Sequence, residues 1–212
     1  MLKKEIYPKT KRVGCLREKV YITEKIDGSN MVIFKKNDLL YVAQRKTIIC
    51  EDEFETAKDV MYKGLYQWLL DYKEELKSKL LNNACICGEW MGMGCIKYSS
   101  DTFDKKFYMF AKANIDIEFD LYNLIYDHNL FIYPFENQEI PSFIGIVPEV
   151  TELITIPTKE DLDAIYEKYC NKVNRKVEGF VINYKNTISK YVRMKNNKLV
   201  EHSDNDHKGI KN

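Results

Sequence analysis

The sequence has 212 residues, 45% hydrophobic and 31% charged, a mixture that excludes wholesale disorder and suffices for a sizeable core. Its 33 basic and 32 acidic residues nearly cancel, so any affinity for nucleic acid must come from a local basic face and not from an overall field. The basic start MLKKEIYPKTKRVG lacks the apolar centre of a signal peptide, and no apolar run reaches the length of a membrane span. These features predict a cytoplasmic or nuclear protein (the host cytoplasm, were it viral) with one compact domain over residues 1–201 and a polar tail over residues 202–212.

Residues 20–23 and 31–36 read as strands, and Leu39 to Ala43 pairs naturally with the second across an Asn37-Asp38 turn. The first third is therefore expected to be a small antiparallel unit carrying Lys25 on a connection. From Glu53 to Leu81 the pattern changes: Phe54, Met61, Leu65, Trp68, Tyr72 and Leu76 recur at helical steps. This predicts one long amphipathic helix, or two shorter ones broken near Gly64, stopped by Asn82-Asn83. ACICGEW (84–90) returns to a strand, and KFYMFAKANI (106–115) is another.

Three prolines, at 134, 141 and 148, make residues 133–156 loop and short extended pieces. Pro157-Thr158 then opens a helix with a capping-box-like TKED, with Leu162, Ile165, Tyr166 and Tyr169 on one face. Residues 179–184 and 190–194 read as strands, and the stretch from His202 onward has no apolar periodicity and is expected to fray. Strands and helices do not alternate as βαβ units, which predicts an α+β fold of mainly antiparallel sheets flanked by helices.

The six cysteines lack framework spacing and suggest reduced thiols. Cys85, Cys87 and Cys95 could begin a zinc site. Against that, CxC is not the CxxC knuckle and no histidine lies near, so buried thiols are the competing reading.

Chemistry concentrates in four stretches. EKIDGSN (24–30) carries Lys25 into an Asp-Gly turn; by itself this is also how an exposed, solvated lysine looks. CICGEWMG places Glu89 near a strand end, VEGFVINY places Glu178 before a glycine, and YVRMKNNK ends a strand with Arg193 and Lys195 on one face. A lysine attacks phosphorus only as a neutral amine, so a nucleophilic Lys25 needs positive charge around it or desolvation, and Arg193 and Lys195 can supply the charge. A hard divalent cation would do the same, and oxygen donors such as Glu178 and Glu89 suit it better than the cysteines do.

In this order the residues resemble the covalent nucleotidyltransferase superfamily of polynucleotide ligases and capping enzymes, whose motifs read KxDG, a motif Ia arginine, a motif III glutamate, an aromatic, EG and KxK. The serine and asparagine after the glycine, and the form RMKNNK, look most like the RNA ligase 2 branch. The resemblance spans Lys25 to Lys198. It implies the ligase adenylation fold and an ATP-dependent RNA ligase with Mg²⁺ or Mn²⁺. Lys25 would form a lysine-AMP bond, AMP would pass to a 5′-phosphate RNA end, and a 3′-hydroxyl would seal it.

The resemblance also implies site residues. Glu24, Lys25, Asn30, Arg45, Glu89, Phe110, Glu178, Arg193 and Lys195 would surround the nucleotide. Arg45 would touch the sugar or an end phosphate, Glu89 the ribose hydroxyls, and Phe110 would stack on the base. Lys25, Lys195 and Arg193 would be catalytic, and Glu178 and Glu89 would hold the metal.

Each residue also has a plainer reading. Phe110 could be core, Glu89 a solvated strand end, Glu178 the end of the preceding helix, and Arg45 a surface cation. The three histidines have no suggestive spacing. Two positions depart from the family pattern: Arg193 stands where a lysine is usual, and Ala111 follows the aromatic where an acid is common, which leaves Tyr108 as a second candidate for stacking.

Only about fourteen residues follow Lys198, so the chain looks like the bare catalytic domain of a monomer acting on nicked or bridged RNA, with an accessory protein or domain to hold the ends. Sealing of DNA nicks, GTP-dependent capping chemistry and simple binding of nucleic-acid ends are the alternatives.

Overall fold

A computed structural model describes residues 11–12, 20–44, 47–58, 62–92, 94–114, 125–127, 139–153, 155–184, 187–195 and 198–199. In chain order these form strands β1 (Lys11–Arg12), β2 (Val20–Lys25), β3 (Ser29–Lys36), β4 (Leu39–Ala43) and β5 (Ile48–Cys50), helix α1 (Leu65–Lys79), and strands β6 (Ala84–Trp90), β7 (Phe107–Asn114) and β8 (Ile125–Asp127). Strands β9 (Ile144–Ile146) and β10 (Glu149–Leu153), helix α2 (Lys159–Val173), and strands β11 (Gly179–Tyr184), β12 (Thr187–Val192), β13 (Met194–Lys195) and β14 (Lys198–Leu199) follow. The fold is α+β with antiparallel pairing dominant, as the irregular order of elements predicts. Arg45 and the tail from His202 lie outside the described residues.

Where composition suggests one domain, the chain divides into two compact units, Met1–Lys9 with Asp27–Ile146, and Thr10–Ile26 with Val147–Asn212. They are called here the α1 unit and the α2 unit. The chain passes from one unit to the other after Lys9, inside the KIDG stretch after Ile26, and again after Ile146.

The α2 unit is a five-stranded sheet in the order β1-β12-β11-β2-β10. Strand β2 alternates so that Val20, Ile22 and Glu24 are buried while Tyr21, Thr23 and Lys25 point the other way. Val20 and Ile22 pack with Phe180 and Ile182 of β11 and with Leu162, Tyr166 and Tyr169 of α2. The expected capping box is present: the Thr158 side chain accepts from the Asp161 amide at 3.1 Å, and the Asp161 carboxylate accepts from the Thr158 amide at 2.8 Å. The helix ends on Asn174 with φ of 48°.

Two expectations are corrected in this unit. Lys25 is the last residue of β2 and not part of a connection, because β11 continues the ladder through the pairs Phe180–Glu24 and Gly179–Lys25. Strand β12 ends at Val192, and Arg193 sits in a bend before β13. The amides of Arg193 and Met194 both donate to the Glu178 carbonyl at 2.9 Å, which draws the chain out of the ladder there.

The α1 unit is a sheet in the order β5-β4-β3-β6-β7-β8, with β9 running parallel to β7. The β3–β4 turn is Asn37-Asp38, both with positive φ (48° and 61°), the conformation that a two-residue hairpin loop requires. Helix α1 begins just after Gly64, whose φ of 81° ends any continuous helix from residue 53; of the two shorter helices expected, the second is present, and among the described residues from 51 to 64 the chain forms a 3-10 turn at Glu51–Glu53 and no α-helix. Leu65, Trp68, Leu69 and Leu76 pack on Met31, Ile33, Ile86 and Met109, while Val32, Phe34, Cys85, Cys87 and Ala111 form a second cluster. Burial pushes the thiols of Cys85 and Cys87 up, so they behave as apolar groups, and Cys95 is exposed. Among the described residues no helix is long and apolar enough to cross a membrane.

Candidate active site

Lys25 stands at the terminus of β2 with its amine 2.7 Å from Oε2 of Glu178, an ion pair of two partly buried side chains. The pair exists because β2 and β11 are neighbours and Glu178 immediately precedes Gly179, the residue opposite Lys25. Gly179 is needed by space: a Cβ there would lie 1.9 Å from the Tyr191 carbonyl oxygen. The EG pairing thus brings β11 close to β12 while Glu178 meets the lysine.

One residue before the lysine, Glu24 is 1% exposed and faces α2. Both of its oxygens accept from the Arg175 guanidinium, and Oε2 also accepts from the Tyr169 hydroxyl at 2.8 Å. Burial, and next the Glu24 charge, push the Tyr169 hydroxyl up, so it stays a donor. The Glu24 carboxylate, at a position expected to touch the nucleotide, is therefore engaged inside the unit.

Arg193 likewise turns to α2, donating to Asp163 and to the Tyr191 hydroxyl, with its guanidinium 5.4 Å from the centre of the Tyr166 ring. The hydrogen bond from Tyr191, helped by the Arg193 charge, holds Asp163 below the usual carboxylate range. Lys195 is exposed in β13, opposite Lys198. Arg193 lies in the bend between β12 and β13 with its guanidinium engaged by Asp163, while Lys195 is exposed, so the regular strand expected through both residues is interrupted.

In the α1 unit, Asn30 of β3 and Glu89 of β6 are direct cross-strand partners. Alternation places Asn30 with Val32 and Phe34, and Glu89 with Cys85 and Cys87, on the sheet face away from α1. Phe110 joins that face through a β-bulge: Cys87 pairs with Ala111 and Gly88 with Met109, which leaves Phe110 as the extra residue, half-buried beside the second cluster. Tyr108 is engaged otherwise. Its hydroxyl accepts from the Lys105 amide at 3.1 Å, and its ring meets Phe103 edge-on at 4.9 Å. Asp27 of KIDG anchors the 94–98 loop, accepting from the Ile96 amide at 2.7 Å while its own amide donates to the Tyr98 hydroxyl at 2.9 Å.

Arg175, Tyr169, Asp163 and Asp27 were not assigned a role at the site from the sequence. A signal for one of them existed: the period of VYITE puts Glu24 on the core side with Val20 and Ile22, and a carboxylate there demands a buried cation. Among the described residues no group of three acidic, histidine or cysteine side chains could cage a metal.

The RNA ligase family model matches residues 18–197, most of the chain and every candidate site residue. The chain belongs to the RNA ligase family. Among solved structures, an RNA ligase of Naegleria gruberi in apo form superposes with a TM-score of 0.50 at 17% identity, over 88% of this chain and 56% of that one. An archaeal ATP-dependent RNA ligase gives 0.50 at 13% identity, over 88% of this chain and 48% of its own. A further N. gruberi RNA ligase, solved with ATP and Mn, gives 0.48 at 18% identity, over 82% of this chain and 50% of that one. The chain thus spans about half the length of these solved relatives. No curated protein matches it.

Proposed function

We propose that the chain is the nucleotide-transferring part of an ATP-dependent RNA ligase, with Lys25 as the nucleophile. The observation that carries this reading is the amine of Lys25 at a strand end, 2.7 Å from Glu178, within a chain of the RNA ligase family. An amine attacks phosphorus only when neutral, and an ordinary lysine is almost wholly protonated at pH 7. The ion pair with Glu178 must therefore open before reaction.

Once the ammonium has given a proton to water, the neutral amine attacks the α-phosphorus of ATP. The nitrogen–phosphorus bond forms as the bond to pyrophosphate breaks, and the nitrogen gives its surplus proton to water. AMP next passes from Lys25 to the 5′-phosphate of an RNA end, and a neighbouring 3′-hydroxyl attacks that phosphate, releasing AMP and closing the strand.

The donor set around Lys25 fits a hard, mostly hydrated cation better than a caged one, because Glu178 offers a partly exposed carboxylate and no three-ligand group exists among the described residues. Bound at Glu178, Mg²⁺ or Mn²⁺ would neutralise triphosphate charge and draw the carboxylate from the ammonium. Lys195 is an exposed cation and is assigned to the phosphates. By resemblance, Glu89 is assigned to the ribose hydroxyls, Asn30 to the nucleotide or an end phosphate, and Phe110 to stacking on the base. Arg45 keeps its assignment to the sugar or an end phosphate by resemblance.

Intact-mass measurement after incubation with ATP or GTP and Mg²⁺ tests the reading. Wild type should gain one AMP from ATP and nothing from GTP, and Lys25→Ala should gain nothing. AMP retained on Lys25→Ala, or a GMP adduct, would overturn it; RNA-end binding without any adduct would make the chain a binding module.

A further inference from the structure

Three residues of helix α2 spaced three apart reach three places in the sheet that flank the proposed chemistry. Asp163 accepts from Tyr191 and from Arg193, two positions before Lys195 in the chain. Tyr166 donates to the Val177 carbonyl at 2.7 Å, one residue before Glu178. Tyr169 donates to Glu24 at 2.8 Å, one residue before Lys25. Just past the helix, Arg175 completes the set with a two-pronged grip on the same carboxylate, and the side chains of Arg175 and Glu24 are 15% and 0% exposed.

Apolar packing of Val20, Ile22 and Phe180 resists separation of helix and sheet but tolerates sliding, because dispersion has little direction. A planar guanidinium on both oxygens of a buried carboxylate does not tolerate sliding. It also removes the one charge that would otherwise sit uncompensated under the end of β2. A hydrophobic pair of similar volume would hold the core as well or better, so stability alone does not account for an ion pair at this point.

We infer that Arg175 is a positioning residue for the nucleophile: through Glu24 it fixes the end of β2, and with it the reach of the Lys25 amine toward an α-phosphate. This rests on the adenylation reading of the site. Misplacing a nucleophile by about an ångström can cost roughly a hundredfold in rate while leaving ground-state binding alone. The signature is therefore a fall in the maximal rate of adenylation at unchanged half-saturating ATP.

The test is single-turnover adenylation followed by intact mass, with thermal unfolding measured alongside, on wild type, Lys25→Ala, Arg175→Met and the double variant Glu24→Gln/Arg175→Met. Arg175→Met leaves Glu24 buried and unpaired, so it should also lower the unfolding temperature. The double variant removes both charges and should recover that temperature. Both variants should adenylate roughly ten- to a hundredfold more slowly than wild type at saturating ATP, with half-saturating ATP within about twofold. Recovery of the adenylation rate together with stability in the double variant would make the pair merely structural and overturn the inference. So would a loss expressed entirely in ATP affinity. Wild type that takes up no AMP would overturn the adenylation reading itself, a result distinct from wild type and Arg175→Met adenylating alike, which would overturn only the role of Arg175.

Discussion

In the α2 unit the helix meets its sheet through charge as well as apolar packing: Glu24–Arg175 and Asp163–Arg193 stand among Leu162, Tyr166 and Phe180. In the α1 unit the helix meets its sheet mainly through Leu65, Trp68, Leu69 and Leu76, with Trp68 set against Trp90, Phe107 and Phe143, and polar contacts gather at its C-terminal end, where Lys77 pairs with Glu51 and its carbonyl accepts from Lys35. Directional contacts fix strand ends, and the proposed nucleophile and its carboxylate are at strand ends of the α2 unit. Non-directional contacts build a firm slab, and the proposed base and sugar contacts lie on the far face of the α1 sheet. Damage to the first kind of interface should appear as lost chemistry beyond any loss of stability. Damage to the second should appear as lost stability.

The hardest break of this contrast is Lys25→Ala, which should abolish the AMP adduct while leaving the unfolding temperature within a few degrees, since a partly exposed side chain is removed from one ion pair. A large fall in stability would mean that the pair is structural. Next in size, Trp68→Ala should cost about 3–5 kcal/mol of stability by emptying the aromatic cluster. Denaturant unfolding reads this directly, and a change below about 1 kcal/mol would show that the cluster is not the core of its unit.

A finer cut separates the two aromatics of β7. Phe110→Ala should raise half-saturating ATP about tenfold, the order expected for one stacked base, whereas Tyr108→Phe, which loses only the contacts of its hydroxyl with Lys105 and Asp104, should leave it unchanged. The reverse result would move the stacking role to Tyr108.

The smallest expected effect is a dependence on pH. The Tyr191 hydrogen bond and Arg193 depress the carboxyl of Asp163, so its contribution to stability is complete above the unfolded carboxyl range, about pH 4, and is lost as pH falls through the lower folded value. Asp163→Asn should be less stable than wild type at pH 7, with the gap narrowing below about pH 4. An equal gap at pH 7 and pH 3 would mean that shape, and not charge, is what Asp163 contributes.

Much of the fold was legible because it follows from local rules. The Asn37-Asp38 turn, the Thr158 capping box, the break at Gly64 and the strand ACICGEW each need only neighbouring residues. The site was partly legible because phosphoryl chemistry restricts which side chains can serve, and a lysine before Asp-Gly with a later EG is a short vocabulary. Three things were not legible. Residues 20–43 read as one hairpin unit, yet β2 pairs with β10 and β11, while β3 pairs with β4 and β6. The run YVRMK read as a regular strand, yet the Glu178 carbonyl bends it. Phe110 gained its face from a bulge that exists only against β6.

The sequence by itself determined which residues could do the chemistry, Lys25, Glu178 and Lys195 among them, because nucleophile, carboxylate and cation are properties of side chains and their order along the chain. Tertiary structure decided which of them meet. Lys25 and Glu178 are 153 positions apart, and Glu24 and Arg175 are 151 apart. Nothing local fixes such a pairing; it follows from placing β2 between β10 and β11 under helix α2, where burial leaves the Glu24 carboxylate with Arg175 and Tyr169 as its partners.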